Sequence, residues 1–119
     1  MKIPIVKYSD KFLERISFFM NVGGITLYPF IFLKSKYKDS ERGKVILNHE
    51  KIHIEQQKEL LIVFFYIIYL IDFIRGIIIY EDVNKAYKRI SFEREAYAKQ
   101  GNQNYLKKRE RFAWLNYFR

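Results

Sequence analysis

The sequence predicts an α+β domain. Up to Lys34 the chain is rich in β-formers and punctuated by Gly23-Gly24 and Pro29, whereas from Lys44 onward the pattern is helical and proline is absent. Strands first and helices after is the order of an α+β arrangement. At 119 residues, half of them hydrophobic, the chain reads as one domain able to bury a modest core, not as a disordered one.

Taken in order, "RISFFMNV" (Arg15–Val22) and "ITLYPFIFLK" flank Gly23-Gly24 and predict a β-hairpin or small antiparallel sheet. Pro29 inside the second run marks an edge strand or a bulge. The polar "KSKYKDSERGK" is a loop, with Ser40 as N-cap of the next helix and Gly43 weighing against an early start. That helix runs from Lys44 past Leu60. A second covers Val83 to Gln100, ending near Gly101, and a short basic one runs from Asn104 to Tyr117.

Leu60–Ile71, "LLIVFFYIIYLI", is an unbroken apolar run, continued by Phe73–Tyr80 with Asp72, Arg75 and Gly76 as interruptions. Its full length would cross a bilayer, but the clean part is in the range of a buried core helix. Asp72 and Arg75 are expected to mark a bend. The start, "MKIPIVKYSDKFLERI", has no continuous apolar region, so no secretory signal is expected and the location is read as cytoplasmic or membrane-associated.

The net charge of +9 draws the chain to anionic surfaces. The basic residues are spread along it, which reads as a solvated basic surface and not as a nucleic-acid site. In the tail, "YLKKRERFAWLNYFR" alternates cations with Tyr105, Phe112, Trp114, Tyr117 and Phe118. Its rings are expected to dock on the core. A peripheral membrane contact is the other use of such a segment.

The absence of cysteine restricts any transition-metal site to His, Asp and Glu. Both histidines lie in His49-Glu50-Lys51-Ile52-His53. Four apart on a helix, they share a face one turn above each other and can hold one Zn²⁺. Glu50, about 100° around the helix, flanks the ion as a general base for water. This is the His-Glu-x-x-His pattern of metallopeptidases.

A catalytic zinc takes three protein ligands, and the third must be a carboxylate. "RISFEREAYAKQ" offers Glu93 and Glu95, about 200° apart on a helix, so one of them faces the metal. Glu93 shares an inward stripe with Ala86, Ile90 and Tyr97 and is favoured. Glu95, the alternative ligand, shares a face with Lys88, Phe92 and Lys99 and reads as a surface pair with Lys99. Tyr97, Tyr87 or Tyr105 are candidates to stabilise an oxyanion.

With "NHEKIH" and "FEREAYA" the chain resembles the gluzincin zinc metallopeptidases, in which a second helix supplies a glutamate ligand. "FEREAYA" is similar to the Glu-x-x-Ala-Asp element of membrane-linked gluzincins of the prenyl-protease and β-lactam-sensor types. The resemblance implies Glu93 as ligand and Ala96 as a small packing residue. Tyr97 stands where the family has an aspartate that orients a histidine ligand, so that role is left without its carboxylate. The size resembles the minigluzincins, compact domains with a small sheet, an active-site helix and a glutamate helix. In that pattern an edge strand lies over the active-site helix and takes up an extended substrate, and "ITLYPFIFLK" is the candidate. The resemblance covers roughly residues 44–100. It implies a zinc-dependent hydrolase of a peptide or protein substrate. The alternative is a non-catalytic, membrane-associated or interaction protein with a basic aromatic surface.

A zinc site bears on topology. A bilayer span over Leu60–Tyr80 would put His53 and Glu93 on opposite sides, so the apolar run is expected to be a buried helix, or a surface that rests on a membrane or partner.

Overall fold

The computed structural model describes residues 3–11, 13 and 23–118. The fold is α+β: a three-stranded mixed sheet beside a set of helices. Strands β1 (Ile5–Tyr8), β2 (Gly24–Leu27) and β3 (Phe30–Leu33) lie in the order β1-β3-β2. β1 runs parallel to β3, with Ile5 opposite Phe30, so the sheet is not purely antiparallel. β2 and β3 form an antiparallel hairpin in which Thr26 faces Ile31.

The hairpin is therefore shifted from its expected place. "ITLYPFIFLK" is two strands, and Tyr28-Pro29 is the turn between them rather than a bulge. Proline cannot donate to a ladder but suits a turn. Gly24 opens β2, and the strand expected at Arg15–Val22 lies outside the described residues.

After a 3₁₀ turn at Ser35–Tyr37, helix α1 spans Glu41–Glu59, three residues earlier than expected. Ser40 is its N-cap: Oγ accepts the Gly43 N–H at 2.9 Å and donates to Tyr37 O at 2.8 Å. Gly43 permits the early start. A Cβ there would lie 1.9 Å from the Tyr37 carbonyl oxygen.

Leu61 and Ile62 turn the chain with positive φ, and Ile62 N–H closes on Gln57 O at 2.7 Å. Helix α2 follows unbroken from Val63 to Tyr80. Asp72 and Arg75 do not interrupt it. Instead Asp72 is buried and accepts the Ser91 N–H at 2.7 Å, capping a different helix.

The expected Val83–Gln100 helix is two: α3 (Val83–Arg89) and α4 (Ser91–Lys99), with Ile90 extended between them. The Asp72 carboxylate reaches into that break, so a contact between distant segments divides a pattern that is locally continuous. α2 and α3 pack closely because a Cβ on Gly76 would already lie 3.0 Å from that of Ala86. The tail holds the short α5 (Tyr105–Lys108) and a 3₁₀ turn at Ala113–Tyr117 in place of one helix. Of its rings, Trp114 docks as expected, buried and edge-on to Phe92 at 4.8 Å, whereas Phe112 and Phe118 are exposed.

Two apolar clusters hold these parts. Ile31 and Leu33 join Ile54 of α1 under the sheet, and Phe65, Ile90, Phe92 and Trp114 join α2 to α4 and the tail. Of the two expectations for the apolar run, a buried helix or a surface that rests on a membrane or partner, α2 does not meet the first. Its inner stripe is Phe65, Tyr69, Asp72 and Gly76, while nine of its ten exposed positions carry large apolar side chains. By length and composition α2 is apolar enough to cross a membrane, with mean hydropathy 2.0, yet only 17% of it is buried.

Candidate metal centre

α1 presents His49 and His53 on its buried face, one turn apart, and α4 brings Glu93 against them. Glu93 Oε1 lies 3.0 Å from His49 Nε2 and 3.1 Å from His53 Nε2, and the two Nε2 atoms are 3.2 Å apart. All three side chains are buried and could hold a metal ion.

The donor chemistry fits such an ion. Nδ1–H of His49 donates to Gln100 Oε1 at 2.8 Å, and Nδ1–H of His53 donates to Gln56 Oε1 at 2.7 Å. Gln56 is oriented without ambiguity, because its amide donates to Phe92 O at 3.1 Å and to Glu95 Oε1 at 2.9 Å. Fixing the proton on Nδ1 turns the Nε2 lone pairs toward each other and toward a carboxylate. Three acceptors converging in a buried space require a positive charge among them. A tetrahedral ion with bonds of about 2.0–2.1 Å would separate its ligands by roughly 3.3 Å, close to the spacing found.

In the absence of an ion, a proton serves the same need. Burial alone would lower His53, but the Glu93 carboxylate outweighs it and raises the ring to about 9. Burial alone would raise Glu93, and the two histidines instead hold it far below the carboxylate range. Its second oxygen accepts the Tyr69 hydroxyl at 2.7 Å.

Glu50 flanks these three side chains, as the helical geometry requires. It is buried, with Oε2 3.9 Å from His49 Nε2. Thr26 of β2 holds it, donating to Oε1 at 2.9 Å and lying 3.0 Å from its backbone carbonyl. Among the described residues β2 is an outer strand of the sheet, and two pockets that share Gly24, Glu50 and Tyr87 form the two halves of a cleft beside it. One half of the cleft is polar and basic, with Lys34, Lys36 and Arg42 beside His49. The other is apolar, with Leu27, Phe65, Tyr66 and Tyr69 beside His53 and Glu93.

Tyr87 lines both halves of the cleft. Tyr97 meets the His49 ring edge-on at 4.5 Å, and its hydroxyl lies 3.4 Å from that of Tyr87. Burial, reinforced for Tyr87 by Glu93, raises both phenols above their ordinary value. They stay protonated and serve as hydrogen-bond donors, not as bases.

Two expectations are corrected here. Tyr105 does not belong to the cleft: its hydroxyl donates to Glu95 Oε2 at 2.7 Å. Glu95 is not a surface partner of Lys99 and is not among the converging ligands. It is fully buried and held by Arg109 at 2.6 Å, whose guanidinium also pairs with Glu59 at 2.8 Å. Arg109 lies fourteen residues away from Glu95 in sequence, beyond any helical period.

The sequence reading missed the residues that orient the ligands. Gln56 and Gln100 take the place of the expected aspartate, and Asn48 fixes Gln100 by donating to its backbone carbonyl at 2.8 Å. Gln56 lies three residues beyond His53, a helical spacing that makes it a legible candidate. Tyr69 and Thr26 carry no such local signal. Comparisons with protein-family models, curated proteins and solved structures give no match for this chain.

Proposed function

We propose that the chain is a zinc-dependent metallopeptidase of the gluzincin type. The observation that carries this reading is the convergence of His49, His53 and Glu93 beside Glu50, at the foot of a cleft bordered by β2. The Nε2, Nε2 and carboxylate donor set suits zinc, and among the described residues no fourth ligand joins it. Structural zinc sites close with four protein ligands, whereas catalytic ones keep a position open.

When bound, zinc would act as a Lewis acid that polarises a carbonyl and makes water acidic. The chain's own groups would do the rest. β2 would take up an extended peptide along the side it turns away from β3 and lay it along the cleft. Glu50 would accept a proton from the attacking water at Oε2, its Oε1 being held by Thr26, and pass it to the leaving amine. Tyr87, with Tyr97 behind it, would donate to the oxygen on which charge develops.

The test is zinc content by mass spectrometry with peptide cleavage on the same samples. Wild type should carry one zinc per chain, lost in His53→Ala and Glu93→Ala. Glu50→Gln should keep its zinc and lose at least about 100-fold in kcat/KM. Absence of zinc in wild type, after loading and dialysis, would sink the reading. Zinc with no cleavage of any peptide would leave a metal-binding protein without hydrolytic activity.

A further inference from the structure

The exposed side of α2 is unlike that of a surface helix, which is charged or polar toward solvent. Ile67, Leu70, Ile71, Ile74 and Ile78 are each 47% exposed or more, and Arg75 is the one charged residue among the ten exposed positions. A contiguous apolar face of this extent marks a contact surface. We infer that it seats the protein on an anionic lipid bilayer, with α2 lying along the membrane plane.

Three observations select this occupant. The first is charge. The chain carries +9, and cations gather at the C-terminal rim of the face, where Lys85 lies 4.9 Å and Arg89 5.6 Å from the ring of Tyr80. An apolar face with an aromatic and basic border suits the boundary between acyl chains and anionic headgroups. A second copy of the chain suits it poorly, because two-fold pairing would set this rim and a +9 body against their own likeness.

The second is the inner stripe, which is committed to the protein. Tyr69 holds Glu93, Asp72 caps α4 at Ser91, and Gly76 abuts Ala86. Crossing the bilayer would strip these polar contacts and pull Glu93 from the histidines. The third is how the helix is tied. Both ends turn directly back into the same body, through Ile62 on Gln57 and through the Asp82 cap of α3. A helix so held exposes one side to lipid and cannot thread through it. Tyr66 belongs both to this face and to the cleft wall, so the cleft opens beside the surface that would meet the membrane.

The experiment is flotation of the purified full chain with phosphatidylcholine vesicles, with and without phosphatidylserine. It is repeated with the double variant Ile71→Glu/Ile78→Glu, whose fold is checked by circular dichroism. Wild type should float with the anionic vesicles and less so at high salt, and the variant should lose about tenfold in bound fraction. Because the chain has no cysteine, Lys58→Cys and Asn84→Cys report the two ends of the helix separately. Both should react with an impermeant maleimide added outside sealed vesicles. Failure of wild type to float would overturn the proposal, as would equal flotation of the folded double variant. A wild-type dimer that the same substitutions dissociate, without vesicle binding, would assign the face to a second copy. Protection of one cysteine alone would assign it to a span.

Discussion

Gln56 and His53 form a hydrogen bond of 2.7 Å in which the amide oxygen accepts Nδ1–H, while the Gln56 amide donates to Glu95 at 2.9 Å. A neutral side chain thus stands between a metal-ligand candidate and a buried carboxylate. A carboxylate in the same place would orient the histidine but would face Glu95 across 2.9 Å.

The two orienting glutamines should therefore respond differently to the same change. Gln56→Glu is expected to lower metal affinity by at least about tenfold, because the added charge meets Glu95. Gln100→Glu, half-buried and hydrogen-bonded to His49, should keep the affinity or tighten it. Competition against a coloured chelator measures both, and equal affinities for the two variants would contradict this account.

Tyr69 donates to the Glu93 oxygen that the histidines do not use. Removing the hydroxyl in Tyr69→Phe leaves a buried acceptor unpaired, a loss of about 1–3 kcal/mol. Metal affinity should fall about tenfold, with helix content unchanged. Tyr97→Phe removes a hydroxyl whose partner is 3.4 Å away and should change the affinity little. The pair of titrations fails the argument if the ranking is reversed.

Arg109 is buried between Glu59 and Glu95. Arg109→Met strands both carboxylates and should cost about 3–5 kcal/mol in urea denaturation. The same network sets an acid limit. Burial alone would raise Glu95, but hydrogen bonds from Arg109, Gln56 and Tyr105 outweigh it and hold the carboxyl below its ordinary value. A carboxyl depressed in the folded state contributes stability that is present above its unfolded pKa. That contribution is lost as pH falls through the lower folded value. Wild type should lose stability below about pH 4, and Glu95→Gln should show a shallower acid limb. An identical pH profile for that variant would remove Glu95 from the explanation.

Gly43→Ala should destabilise the protein, although alanine normally favours a helix by about 1 kcal/mol. The new Cβ would lie 1.9 Å from Tyr37 O, and the shift needed to relieve it should cost about 1–3 kcal/mol. A rise in the urea midpoint would show that the approach of Tyr37 is not constraining.

The sequence by itself determined the donor set. His49, Glu50 and His53 sit within two turns of one helix, where a period of 3.6 residues decides which side chains share a face. The same period separates Glu93 from Glu95, and only Glu93 joins the histidines. Tertiary structure alone decided what surrounds that set. Thr26 reaches Glu50 across 24 residues and Tyr69 reaches Glu93 across another 24, and no local periodicity relates such positions. It also decided the helix breaks at Leu61-Ile62 and Ile90, where no glycine or proline stands and the cap comes from Gln57 or Asp72. Most of all it decided the apolar run. Hydrophobicity states that α2 must be covered, but only the packing of its inner stripe shows that the fold covers one side and leaves the other outward.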